Sequence, residues 1–415
     1  MRMATPRRPS NGRELGCLLY TAQGPAHNSP AARRWAMTGR QVAMTPPRLR
    51  VALWAPLPPP VGGISGWTLR YLAAAERHAI EPRVVDISPG GIASTEASRL
   101  RLDRFAPAFR ALGGLSALLA RRQVDVAHLT TSLFWATPRD ALAVAMCRAA
   151  RVPCVLQIRA STQIIAWRQG LKPVQRRALD QTLRAANAVM VLSSELEDYL
   201  RAELPGLRLF RTGNPVDVAF HDRARLLPSP VPPKTRPLRV LFVGKITPLK
   251  GFAQLCDAVY ALPEVELLAV GGVGGAIDPH QQQDLQRARA QLAATGRLIE
   301  AGELGPEQVA ALYHQADVFA LPTWREGLPN VLLEAMASRL PCVVTPVGAI
   351  PDVVGQDGAL VVPVGDTQRL REALAALAGD PQRRGQLAER GRAIVDERYS
   401  IDALMREYRS IYAAL

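Results

Sequence analysis

Two acids, Glu326 and Glu334, stand with seven residues between them in the stretch Ala316 to Gly348, ADVFALPTWREGLPNVLLEAMASRLPCVVTPVG. Two lysines, Lys245 and Lys250, stand five positions apart in Leu241 to Gly251, LFVGKITPLKG. Carboxylates at such positions accept hydrogen bonds from hydroxyl groups, and ammonium groups neutralise a departing phosphate as its charge grows. The chain holds only four lysines (Lys172, Lys234, Lys245 and Lys250) among its 51 Lys and Arg residues. Where arginine serves almost everywhere, two close lysines suggest chemical selection.

The elements that position the acids are readable around them. Val318–Leu321 and Pro341–Thr345 are apolar and β-prone, and between them Val331–Ala337 are mostly strong helix formers. Pro329 suits the first helical turn. A strand should therefore lead through a polar loop carrying Arg325, Glu326 and Gly327 into a helix. The backbone N–H groups of Asn330, Val331 and Leu332, with the positive end of the helix dipole, make an anion site. A carboxylate beside an anion site is repulsive unless it has its own partner, which sugar hydroxyls would supply. The plainer alternative is that Glu326 compensates the dipole and Glu334 is solvated.

In its full context, PTWREGLPNVLLEAMASRLPCVVTPVGAIPDVV, this spacing closely resembles the signature of glycosyltransferase family 4. The resemblance implies that Glu326 contacts donor-sugar hydroxyls and Glu334 the ribose of a nucleotide sugar, with Gly327 in the loop between. Leu241–Gly251 resembles the diphosphate-binding segment of that family, which gives Lys245 and Lys250 that role. Glu300 to Gln308, EAGELGPEQ, resembles the loop against which the base packs, with Leu304 presenting its backbone. The implied architecture is GT-B: α/β, two Rossmann-like doubly wound domains facing each other across a cleft. The implied reaction is retaining transfer from a UDP- or GDP-linked sugar to a glycan, lipid-linked or small-molecule acceptor. No cofactor and no obligatory metal are expected, in keeping with the absence of an Asp-x-Asp motif. Two other classes stay open: a nucleotide-sugar epimerase of the same fold, which needs no acceptor, and an inactive nucleotide-sugar-binding subunit.

Upstream, Leu49–Pro56 reads as a buried strand, followed by Val61-Gly62-Gly63-Ile64-Ser65-Gly66 and a helix from Trp67 to about His78. Such a turn either lets Gly63 approach a phosphate or is a plain tight turn. His128 ends an apolar strand and is either a buried structural histidine or an acceptor-side group. Arg159 stands where the family commonly carries a cleft-facing His. An arginine cannot act as a general base, so its place would be to grip an anionic acceptor or the donor diphosphate, or to bridge a neighbouring acid. Arg104–Arg122 is either a core-facing helix pair or a basic, apolar patch that lies on anionic lipid.

Further strands are expected at Arg83–Ile87, Asp125–Thr130, Cys154–Ile158, Ala188–Leu192, Leu238–Val243, Val265–Val270, Leu298–Ala301, Val318–Leu321, Val343–Thr345 and Leu360–Val362. Strands alternating with helices imply parallel sheets covered on both faces. The expected organisation is a disordered basic leader at 1–47 and an acceptor-side Rossmann-like domain at 48–222. A Pro-rich linker at 223–237 and a nucleotide-sugar domain at 238–398 follow. A terminal helix at 399–415 crosses back to the first domain, as the resemblance implies. Met37 or Met44 is an alternative start. About half of the formal charge of +15 lies in residues 1–50, which carry nine Arg and one Glu, so nucleic acid is not an expected partner. Five scattered cysteines without a CxxC or Cys/His ligand spacing point to a reducing compartment. The expected location is the cytoplasm, with peripheral contact at the inner face of the membrane as an option.

Overall fold

The computed structural model describes residues 47–59, 62–88, 105–160, 162–274 and 278–415. All but the last residue of the basic leader, both alternative starts, Val61 and Arg104 lie outside them. Two parallel sheets of six strands organise the rest. The first contains β1 (Leu49–Ala55), β2 (Ile80–Asp86), β3 (Val126–Thr131), β4 (Cys154–Ile158), β5 (Ala188–Val191) and β6 (Leu209–Arg211), in the order β2-β1-β3-β4-β5-β6. The second contains β7 (Leu238–Val243), β8 (Val265–Val270), β9 (Leu298–Gly302), β10 (Val318–Leu321), β11 (Cys342–Val344) and β12 (Leu360–Val361), in the order β12-β11-β10-β7-β8-β9.

Around the first sheet lie α1 (Gly63–Ala75), α2 (Phe105–Ala120), α3 (Thr137–Ala149), α4 (Gln163–Gln169), α5 (Pro173–Ala185) and α6 (Ser194–Glu203), followed by α7 (Val218–Ala224). The second half adds α8 (Phe252–Tyr260), α9 (Pro279–Ala294), α10 (Pro306–Tyr313), α11 (Asn330–Ala337), α12 (Ile350–Val354), α13 (Thr367–Gly379), α14 (Pro381–Ile394) and α15 (Ile401–Ala413). Central strands such as β3, β4, β7 and β8 are buried along their whole length, as strands of a sheet covered on both faces must be, and the charged residues they carry are paired, Arg239 of β7 with Glu266 of β8. On β1, Ala52 and Trp54 enter the core formed with α2, α3 and α5, while Val51, Leu53 and Ala55 face α1 and α15. The period of two thus assigns the terminal helix to the first sheet. Trp67 Nε1 donates to Tyr408 Oη at 3.2 Å, and the hydroxyls of Tyr71 and Tyr412 meet at 3.1 Å. Two backbone bonds, from Val216 N–H to the Tyr399 carbonyl and from Ile401 N–H to the Val216 carbonyl, stitch the outgoing and returning chain together.

Three expectations are corrected. The helix read from Trp67 begins at Gly63, because the Ser65 hydroxyl accepts from Gly62 N–H at 2.8 Å and opens the helix inside the glycine turn. The pair read in Arg104–Arg122 is one continuous helix from Phe105, with Pro107 in its first turn, where a missing N–H costs nothing. The three-residue edge strand β6 had no periodic signal long enough to read. α7 also runs to Ala224, two residues into the stretch read as linker. Among the described residues no helix is long and apolar enough to cross a membrane.

Candidate active site

The strand order of the second sheet reverses between β7 and β10, so their C-terminal ends open the crevice where ligands of doubly wound sheets gather. From β7 come Lys245 and Lys250; from β10 comes the loop Pro322–Gly327. Two glycines hold that loop. A Cβ on Gly251, at φ +68°, would lie 1.9 Å from the Pro322 carbonyl oxygen. One on Gly348, at φ +59°, would lie 2.3 Å from the Glu326 carbonyl oxygen and 2.5 Å from that of Gly327. Buried Thr323 donates to the Leu249 carbonyl at 3.1 Å, joining the lysine turn to the acid loop.

At this junction Lys250 Nζ is ion-paired with Glu326 Oε1, so the loop acid has a protein partner of its own. Lys245 is exposed, with no ion pair or hydrogen bond of its side chain among the described residues. Leu304, after β9 at the same edge, packs partly buried against the second core. Behind the loop α11 begins at Asn330, with Pro329 as the capping residue and not in the first turn. Leu332 N–H is not free as expected, since it donates to the Pro329 carbonyl at 3.2 Å. The backbone N–H groups of Asn330 and Val331 are left for an anion.

The first sheet answers with a second helix start. Asn330 Nδ2 donates to the Gly63 carbonyl at 3.4 Å, so the N-termini of α1 and α11 converge, and neither has an acid in its first turn. Two positive dipole ends without a compensating acid form an anion-attracting corner. Asn214 spans it, donating to Asn330 Oδ1 at 2.8 Å and to the Leu328 carbonyl at 3.0 Å, while its own Oδ1 accepts from Arg159 Nη2 at 2.7 Å.

Arg159 therefore reaches α11 through an amide. Among the described residues it has no acid partner, so the salt-bridge option finds no support there. Its guanidinium lies over the Trp67 ring at 4.4 Å, and burial pushes its pKa down to about 10. His128 is corrected as an acceptor-side residue. It is fully buried among Trp67, Tyr71, Tyr408 and Tyr412, with Nδ1 on the Tyr412 hydroxyl and Nε2 on Gln157 at 3.0 Å. Burial, above all, lowers its pKa to about 3 and keeps it neutral.

Glu334 is not simply solvated. Tyr313 Oη donates to its Oε2 at 3.1 Å, and Arg70 Nη1 on α1 stands 3.6 Å from its Oε1. Burial outweighs both partners and holds this carboxyl above the usual carboxylate range. Arg70, Asn214, Gln157 and Tyr313 escaped the sequence reading. In sequence, Asn214 stands in Gly213-Asn214-Pro215, a composition that signals a turn and no ligand, and Arg70 is one basic residue among 51. Among the described residues no group of three or more His, Cys, Asp or Glu side chains could hold a metal ion.

A family profile described as "Glycosyl transferases group 1" matches residues 237–380. The chain is 30% identical over 279 residues to the alpha-maltose-1-phosphate synthase of Mycolicibacterium smegmatis, covering 62% of this chain and 68% of that protein. It is 26% identical over 281 residues to the alpha-D-kanosaminyltransferase of Streptomyces kanamyceticus, covering 64% of this chain and 72% of the other. Its fold resembles that of sucrose-phosphate synthase from Thermosynechococcus elongatus, with a TM-score of 0.63, 20% identity and coverage of 89% and 100%. It also resembles Anabaena HepE, solved in complex with UDP, with a TM-score of 0.65, 15% identity and coverage of 89% and 100%.

Proposed function

Because the chain belongs to the group 1 glycosyltransferases, enzymes of GT-B fold that transfer sugars, we propose that it is a retaining transferase using a nucleotide sugar as donor. The observation that carries this reading is the Lys250–Glu326 pair at the switch point of the second sheet, beside two converging helix N-termini. The donor diphosphate sits at that corner. Lys245 and the N–H groups of Asn330 and Val331 meet the charge that grows as the sugar–oxygen bond breaks, without an obligatory metal. Glu326 orients the sugar hydroxyls, and Glu334 faces the nucleoside. UDP, which HepE holds in its solved structure, and GDP are the carriers proposed.

The acceptor enters from the first sheet. Phe109 early in α2, Trp135 just before α3 and Val174 at the start of α5 expose large apolar side chains at helix starts above the C-terminal ends of its strands. Arg110, Arg176 and Arg177 lie next to them in sequence and are exposed. This favours a lipid-linked acceptor met at the inner face of the membrane, in glycan or glycoconjugate biosynthesis.

The test is calorimetry with UDP, GDP and ADP and their sugar conjugates, followed by turnover assays with and without acceptor. Binding of one diphosphate, with donor consumed only when acceptor is present, supports the reading. Rearrangement of the donor alone would make the protein an epimerase, and binding without turnover a binding subunit.

A further inference from the structure

Arg70 carries a guanidinium with five N–H donors, yet none of them makes a hydrogen bond among the described residues. Its one ionic contact, Glu334 at 3.6 Å, is too long for a hydrogen bond, and its Nε is buried without a partner. An unsatisfied buried donor is costly, and more so when it is charged. The neighbouring polar groups share this deficit: Arg159 Nε and Gln157 Nε2 are also buried and unpartnered. All three are donors and all belong to the first-sheet half; among the described residues the one carboxylate that reaches Arg70 is Glu334 from α11.

The direction of the Arg70 side chain narrows what would fill the gap. A helical side chain leans toward the N-terminus of its helix. Gly66, one turn earlier, leaves that path open, for a Cβ there would lie 3.8 Å from Arg70 Nη2. The guanidinium therefore lies back along α1 toward the corner where Gly63 meets Asn330, and Glu334 stands about one turn inside α11 from the same corner. A planar, permanently charged fork suits phosphate oxygens well.

We propose that Arg70 is a phosphate-binding residue of the donor site supplied by the first-sheet half, and that Glu334 is only its resting partner. When a diphosphate occupies the corner, the guanidinium leaves the carboxylate for a phosphate oxygen. Donor binding is thereby coupled to the approach of the two halves. This inference rests on the nucleotide-sugar reading above.

Titration calorimetry with UDP, GDP and ADP, with the matching nucleosides, and with inorganic pyrophosphate tests it. Arg70→Ala should weaken the nucleoside diphosphate about 10- to 100-fold while nucleoside affinity stays within about twofold. Arg70→Lys should recover part of the loss. Glu334→Gln releases the resting partner, so it should tighten pyrophosphate several-fold, and that gain should vanish in the Arg70→Ala background. Unchanged diphosphate affinity in Arg70→Ala overturns the proposal, as do equal losses for nucleoside and diphosphate. So does a Glu334→Gln effect that persists without Arg70. If the wild type binds none of the diphosphates, the donor reading itself falls and this inference falls with it.

Discussion

The two lysines of the active corner are not equivalent, and single substitutions separate them. Lys245 is exposed and has no side-chain partner among the described residues, whereas Lys250 is ion-paired with Glu326. Lys245→Ala should therefore weaken nucleoside diphosphate binding alone, because the lost partner is a phosphate. Lys250→Ala should do the same and also depress turnover beyond the binding loss, because Glu326 is left without its cation. Truncating one partner of a close charge pair commonly costs about 2–5 kcal/mol. Calorimetry giving equal losses for nucleoside and nucleoside diphosphate in Lys245→Ala would remove it from the diphosphate site. Glu326→Gln preserves shape in a loop that the core does not depend on. Its turnover should fall by roughly 10²–10³, the usual effect of losing one well-placed polar group, with the melting temperature unmoved. Near wild-type turnover would strip Glu326 of its place in the site.

At the scale of elements, the acid loop is held by backbone contacts across the switch point. Gly348→Ala would force a Cβ against the carbonyls of Glu326 and Gly327 at a positive φ. The expected result is at least a tenfold fall in kcat and a loss of about 1–3 kcal/mol of stability. Gly379→Ala, where a Cβ meets nothing within 4 Å, is the neutral control. Wild-type kcat in Gly348→Ala would mean that the loop does not position Glu326. Much of this half was legible because β10 is an unbroken apolar run, β7 and β8 are apolar but for Arg239 and Glu266, and α11 follows a polar loop. What stayed hidden has a common cause. β6 spans three residues and α1 opens on glycines, so local pattern is weak. Arg70, Asn214 and Gln157 acquire meaning only through docking of one half on the other. The Asn214–Asn330 bond, for example, joins residues 116 positions apart. Periodicity and turn chemistry are local signals, and a polar contact between sheets leaves none.

Across the whole molecule, buried histidines that tie distant segments together also make the protein sensitive to acid. His128 ties β3 to the terminal helix through Tyr412, and His221 on α7 binds Ser338 beyond α11 at 3.0 Å. Burial, before any other cause, lowers both pKa values to about 3. Each imidazole thus binds its proton more weakly folded than unfolded, where its value is about 6.5. Their stability contribution is complete above the unfolded value and is lost as pH falls below it. By pH 5 the loss is roughly 2 kcal/mol for each histidine, taking about 1.4 kcal/mol per pH unit below 6.5. Buried carboxyls act in the opposite sense: those of Asp140, Glu334 and Glu407 are raised by burial, the last to about 6, so each binds its proton more tightly when folded. The wild-type curve alone is therefore a difference of opposing effects. The clean readout is His128→Gln, which keeps a polar group facing Tyr412 and Gln157 but cannot take up a proton near neutrality. Its melting temperature should lie below wild type at pH 7.5, and the gap should narrow steadily between pH 7 and pH 5 as the wild type loses what the variant cannot. Parallel curves over that range would show that His128 is not held neutral by the fold, and the account of this buried tie as acid-labile would fail.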